Sequence, residues 1–209
     1  IDNNPARINI MFLEVDWKNH SIVEGCEIFN CGRNGITPTA MKNGVIRNCN
    51  FYNEDSKVQA IVDIEGVAGV DSGNTIEECW LHGSNASITS PTGDNFYLVR
   101  CKLRQLNCSQ PHLHVEDCDA THINARVKYF NNIVKPRRVI LNSQVREVLN
   151  VSYSLVSNCR VRGYLDNSQK YSAESKYPNV FENTVFRVYV LTPGVYKNCC
   201  IFSMPGSPN

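Results

Sequence analysis

What this 209-residue sequence lacks excludes several classes of protein at the outset. No run approaches the ~18 continuous apolar residues that a membrane span needs, so membrane insertion is not expected. Charge of one sign is not in excess: 21 Lys and Arg stand against 20 Asp and Glu, a formal net charge of +1. Without a bulk positive field, nucleic acid is not an expected partner. Apolar residues at helical spacing are sparse, and no long amphipathic window opens on a cap. An initiator methionine and a signal-peptide pattern are missing too. The chain starts at Ile1, so a fragment or processed piece is expected. At this length a single domain over 1–209 with one sizeable core is the expectation.

Cysteine is abundant by contrast, with ten residues, and its placement is ordered. The segments IVEGCEI (22–28), VIRNCNF (45–51), TIEECWL (75–81), YLVRCKL (97–103), HVEDCDA (114–120), LVSNCRV (155–161) and VYKNCCI (195–201) share one pattern. Each carries an apolar residue, a polar or small one two positions on, then Cys. Cys26, Cys49, Cys79, Cys101, Cys118, Cys159 and Cys199 fill that slot; FENTVF fits with Thr184 in it, and YFNNIV with Asn132. Successive slots lie 23, 30, 22, 17, 14, 27, 25 and 15 residues apart. Self-similarity at this period, with short alternating segments and Asn/Gly/Ser turns, marks an all-β solenoid. The slot cysteines then read as a stacked, reduced ladder, since a free thiol packs like a small hydrophobe. Disulfides between adjacent slots are the alternative.

The repeated pattern in VIRNCNF and LVSNCRV, over roughly residues 8 to 202, resembles the right-handed single-stranded parallel β-helix of the pectate-lyase-like superfamily. Segments such as GVIRNCNFYN followed by QAIVDIEG look most like bacteriophage tailspikes, appendage proteins and related bacterial surface β-helices. The resemblance implies a virion tail or appendage acting outside the host cell. It implies a homotrimer whose C-terminal region changes architecture, and recognition of a bacterial surface polysaccharide or teichoic acid. It also implies a possible endo-acting glycoside hydrolase, or polysaccharide depolymerase, needing no cofactor. Superfamily enzymes with other chemistries carry motifs that this chain departs from. HGS (82–84) and ARVK (125–128) are distant echoes of polygalacturonase motifs, KPRR does not satisfy the pectate-lyase arginine signature, and the epimerase motif is absent. A non-catalytic glycan-binding or structural virion β-helix is the first alternative, and a cellular lyase or epimerase with Arg100 as its basic residue is the second. Spacings of 17 and 14 are short for a three-sided repeat and imply tight corners or a departure from it. The polar stretch 165–179 reads as a projecting loop, a groove wall or a subunit contact.

In AIVDIEG, residues 60–66, two carboxylates sit one residue apart within an apolar run. Counting back from the slots aligns Ile36, Ile64 and Ile88 as one inward ladder. Their flanks would then line the outside: Gly35 and Thr37, Asp63 and Glu65, Ser87 and Thr89. Residues i and i+2 on a strand share a face at roughly 6.5–7 Å, within the ~6.5–9.5 Å that separates the acid and base of an inverting glycosidase. Asp63 and Glu65 are therefore the candidate catalytic pair, with solvated strand face as the competing reading. Asp71, Glu77, Trp80, His82 and Arg100, with Thr37 and Thr89, are the candidate substrate-binding residues. Trp80 follows a slot and should point outward.

His112, His114 and Glu116 alternate in HLHVE and share one strand face, a weak candidate for a divalent metal and otherwise a wet surface. Charge is uneven along the chain, −4 over residues 1–110 and +5 over 111–209. A basic run of Lys135, Arg137 and Arg138, near Arg126 and Lys128, is expected at the surface, where it could meet an anionic polymer.

Overall fold

The computed structural model describes residues 10–11, 20–29, 34–38, 41–53, 60–64, 73–83, 86–90, 95–125, 137–165, 178–188 and 194–204. Every regular element among them is a strand. After β1 (Ile10–Met11), the first repeats carry three strands each. These are β2 (Ile22–Glu24), β3 (Glu27–Phe29) and β4 (Asn34–Thr37); β5 (Val45–Arg47), β6 (Asn50–Tyr52) and β7 (Ala60–Asp63); and β8 (Asn74–Glu77), β9 (Trp80–His82) and β10 (Ser87–Ser90). Later repeats carry two: β11 (Asn95–Val99) and β12 (Lys102–Cys108), β13 (His112–Glu116) and β14 (Asp119–Ala125), β15 (Arg137–Leu141) and β16 (Gln144–Val151). The series ends with β17 (Ser154–Ser157) and β18 (Arg160–Leu165), β19 (Val180–Glu182) and β20 (Val185–Val188), β21 (Val195–Lys197) and β22 (Cys200–Ser203).

All pairing is parallel, in two sheets. The nine-stranded sheet takes the first strand of each repeat, β2-β5-β8-β11-β13-β15-β17-β19-β21, and the thirteen-stranded sheet takes the rest. The arrangement is consistent with a β-helix solenoid. In the first repeats the larger sheet has two branches, β3-β6-β9 and β1-β4-β7-β10, and both end on β12, which pairs with β9 at Lys102 and with β10 from Gln105 to Cys108. From β12 onward two short strands have become one long one. The loss of the intervening corner accounts for the short slot spacing of 17 residues between Cys101 and Cys118.

Inward side chains stack repeat upon repeat. Ile46, Ile76, Leu98, Val115, Ile140, Val156 and Phe181 form one buried column under the smaller sheet. Ile36, Val62, Ile88, Leu106, Ile123 and Leu149 form another under the larger. The second column corrects the expected alignment: Val62, not Ile64, stands between Ile36 and Ile88. Ile64 lies past the end of β7, fully buried, its amide donating to Thr89 O at 2.8 Å. Main-chain pairing sets the register, and a count back from the slot cannot see the extra residues in the preceding corner.

Each passage from the smaller sheet to the larger has the same construction. A single residue adopts φ near +50°, or +65° at Gly25, and the slot residue follows it. Gly25, Asn48, Glu78, Arg100, Asp117, Asn142, Asn158, Asn183 and Asn198 hold this position. The amide of the left-handed residue donates to the next repeat, as Asn48 does to Glu77 O at 3.2 Å, and that of the residue after the slot donates back, as Trp80 does to Cys49 O at 3.0 Å. The slot side chain completes the corner. Cys79 Sγ donates to Glu77 O two residues earlier at 3.2 Å; Ser143 Oγ and Thr184 Oγ1 do the same to Leu141 O and Glu182 O at 2.7 and 2.8 Å. It also accepts: the amide of Cys118 donates to Ser143 Oγ at 3.1 Å and that of Cys159 to Thr184 Oγ1 at 3.3 Å. Ser143 thus occupies the slot assigned to Asn132, which lies outside the described residues. What the slot selects is a short side chain with a donor.

The nine described cysteines carry free thiols. Burial pushes the Cys159 thiol up to about 11 and raises Cys108 as well. Thiol–thiol hydrogen bonds, then burial, raise Cys101, and the same causes raise Cys49.

One other expectation needs correction. Arg138 is not a surface cation: 2% exposed, it occupies an inward position beside Leu113. Its guanidinium donates to the carbonyls of Ala125, Gln110 and Cys108, capping the ends of β14 and β12. Lys135, Arg126 and Lys128 and the Arg137 side chain lie outside the described residues. Of the stretch 165–179, expected as a projecting loop, residues 166–177 lie outside the described residues. Leu165 ends β18, and Asn179 is buried, accepting from the Ser154 amide at 3.0 Å and donating to Val151 O at 3.1 Å. Asn74 makes the equivalent pair with Gly44 N and Met41 O.

Two outcomes follow for stability. Arg138→Ala strands three carbonyls and opens a void, and should cost about 3–5 kcal/mol in denaturant unfolding, with Arg138→Met costing less because it refills the volume. A thiol whose folded pKa lies above its ordinary 9 stabilises the fold fully below pH 9, and that stability is lost as pH rises toward about 11. Urea midpoints should therefore fall between pH 9 and 11, and less so in Cys159→Ser.

Candidate functional site

On the outward side of the larger sheet, Phe29, Tyr52 and His82 align across β3, β6 and β9, their ring centroids 6.4 Å apart at each step. Trp80 lies two residues before His82 on β9, in register with Asn50 on one side and Lys102 on the other. It is 48% exposed, an unusual burden for so large an apolar ring. Its centroid is 3.9 Å from that of His82, and Lys102 Nζ is 5.0 Å from it. Desolvation, then the charge of Lys102, hold the His82 imidazole below its ordinary range, which keeps it neutral at pH 7.

Beside Trp80 runs a groove of about 450 Å³, lined also by Glu78, Arg100, Lys102, Asp117 and Asp119. Glu78, Arg100 and Asp117 are the left-handed corner residues of three consecutive repeats. Elsewhere asparagine or glycine fills this position, the two types that tolerate positive φ best. Among these corners, the strained ones are those whose charge lines the groove. Arg100 is held by Glu78 at 2.8 Å and Glu77 at 3.4 Å, and the bond to Glu78 raises its pKa. Asp119 accepts from Arg146 Nε at 2.8 Å. Among the described residues, Lys102 lines the groove without a carboxylate partner and meets only the Trp80 ring. A ring face, a neutral imidazole and a cation without a carboxylate partner, beside arginine-paired carboxylates, make a surface on which a pyranose ring can stack and its hydroxyls can bond.

The structure divides the expected site residues. Trp80, His82, Arg100 and Glu77 come together at this corner. Thr37, Asp63 and Thr89 form a separate row across β4, β7 and β10, continued by Asn107 and Asn124. Asn107 is five residues beyond Lys102 on β12, so the two groups are about 16 Å apart along the strand. Asp63 is nine-tenths buried rather than wet, and accepts from Asn34 Nδ2 at 3.2 Å. Glu65 and Asp71 lie outside the described residues. On the smaller sheet, His112, His114 and Glu116 do face outward together, but His114 Nε2 is engaged by Glu116 at 2.9 Å beneath Tyr97. Among the described residues no three His, Cys, Asp or Glu side chains form a group able to hold a metal ion.

The reading of the sequence missed Lys102 and the role of the corner residues. A signal was present: the residue before the slot is Asn in RNC, SNC and KNC but Glu, Arg and Asp in EEC, VRC and EDC. Comparison with protein-family models, curated proteins and solved structures finds no match to this chain.

Glu78→Asn should raise the thermal midpoint by roughly 2–4 °C, the shift that about 1 kcal/mol of relieved strain gives at this size. The one lost pair, with Arg100, is exposed and weighs little against it. Differential scanning calorimetry checks this.

Proposed function

We propose that the chain recognises an extracellular polysaccharide at the Trp80 corner, as part of a right-handed parallel β-helix of the phage tailspike or appendage type, assembled as a trimer at the host surface. The observation that carries the binding reading is the exposed Trp80 ring flanked by His82 and Lys102 at the mouth of a charged groove. Such a ring offers a flat apolar face for the C–H side of a sugar, and the groove supplies donors and acceptors at its edge. The tailspike class, the handedness and the trimer are supported by the sequence resemblance. The parallel all-β architecture is what such a protein requires.

Binding at this corner is favoured over hydrolysis at the Asp63 row. Asp63 is buried and bonded to Asn34, and its row stands well apart from the aromatic corner. A carboxylate acting on a glycosidic bond has to reach the sugar that the ring holds.

Screening the protein against bacterial capsules, O-antigens and teichoic acids by glycan array, followed by calorimetry on the best ligand, tests this. Trp80→Ala should weaken binding by ~1–3 kcal/mol, the usual worth of a stacking platform, while Asp63→Asn leaves it unchanged. Release of reducing ends by the parent and not by Asp63→Asn would instead establish hydrolysis at the buried row.

A further inference from the structure

From β12 to β20 the outward side of the larger sheet is basic. Lys102, Arg104, Arg146, Arg160, Arg162 and Arg187 are all exposed there, against Asp119 and Glu147. Both acids are engaged, Asp119 by Arg146 and Glu147 by His122. A register shift between β14 and β16 turns both Arg146 and Glu147 outward at once. One position beyond the Val145–Val161 pair, Arg146 therefore neighbours Arg162, and Arg162 pairs directly with Arg187 on β20. Among the described residues, Arg160 and Arg162 meet no carboxylate, and Arg187 meets only the Phe202 ring, 5.8 Å from its centroid. Like charges directly opposite on neighbouring strands repel. Arg146, Arg162 and Arg187 stand side by side with no acid between them among the described residues, and this leaves a deficit of negative charge that an anion from outside the chain can fill.

The deficit has a shape. From Lys102 to Arg187 it crosses four interstrand steps of ~4.8 Å, about 19 Å in all. Trp80 lies at one end, beside Lys102, and Phe202, 53% exposed, at the other. Guanidinium forks match planar or tetrahedral oxyanions, and their spacing across the stack suits a linear polymer with an oxyanion on successive units. Among the described residues the strip between the two end rings offers no Phe, Tyr or Trp ring on which bases could stack, which disfavours single-stranded nucleic acid.

We propose that the ligand of this face is a linear anionic polysaccharide lying along the stack from Trp80 toward Phe202, its carboxylate or sulfate groups held by Lys102, Arg160, Arg162 and Arg187. The proposal rests on the glycan-binding reading above and adds the class of glycan.

Calorimetric titration of the full chain with polygalacturonate, dextran sulfate, neutral dextran and oligo(dT), at low and high salt, tests it. Both polyanionic glycans, or whichever oxyanion fits, should bind more tightly than dextran, and more weakly as salt rises. The Arg160→Gln/Arg162→Gln/Arg187→Gln variant should lose about tenfold in polyanion affinity, keep its affinity for dextran, and melt no lower than the parent, since it relieves repulsion. Equal affinity for dextran and both polyanions, or unaltered polyanion binding by the variant, would overturn the inference and leave the Trp80 reading standing. Tighter binding of oligo(dT) than of either glycan would replace the polysaccharide with nucleic acid. Failure of every glycan to bind would remove both.

Discussion

The corner between the two sheets is the constraint on which everything else depends. Parallel strands can stack indefinitely only if the chain changes direction at the same depth in each repeat without leaving a backbone group unpaired. Here one left-handed residue makes the change, and the slot side chain behind it satisfies a carbonyl in its own repeat and an amide in the one before. Cys, Ser and Thr serve alike because each is short and carries a donor. The inward columns of Ile, Leu, Val and Phe follow from that fixed geometry, since a corner of constant depth starts each strand in register with the one before, and the column survives the single shift between β14 and β16.

The same constraint explains where chemistry can be placed. Outward positions on the strands and the left-handed residue itself are free of the core's demands, so charge and aromatic rings collect there. Glu78, Arg100 and Asp117 take the second option and accept backbone strain for it. The fusion of two short strands into β12 removes a corner and lays a broad, continuous face beside them. The groove and the arginine-rich strip meet at Lys102, on that strand.

Much of the fold was legible in the sequence because the slot recurs. VIRNCNF and LVSNCRV announce alternating strands, a polar corner and a small buried residue, and the structure contains all three. Trp80 was legible as an outward residue from its position after Cys79. What was not legible depends on main-chain pairing or on distant partners. The alignment of Val62 with Ile88, and with it the burial of Asp63, is fixed by hydrogen bonds that spacing alone does not reveal. Arg138 reads as surface charge in KPRR, yet the carbonyl ends of two other strands draw it inside. LNSQV hid a slot because Ser143 does there what cysteine does elsewhere.

Both sheets are parallel throughout, and their interstrand bonds lie along the direction in which the repeats stack. In mechanical terms this makes the molecule anisotropic. A load applied along the stack puts the bonds of successive repeats in series, so that it opens one junction at a time, beginning with the weakest. A load applied along the strands shears every bond of a junction together and is resisted by all of them at once. A polymer lying along the stack on the outer face of the larger sheet, tied down at several strands, would bridge those junctions and stiffen the direction in which the protein alone yields first.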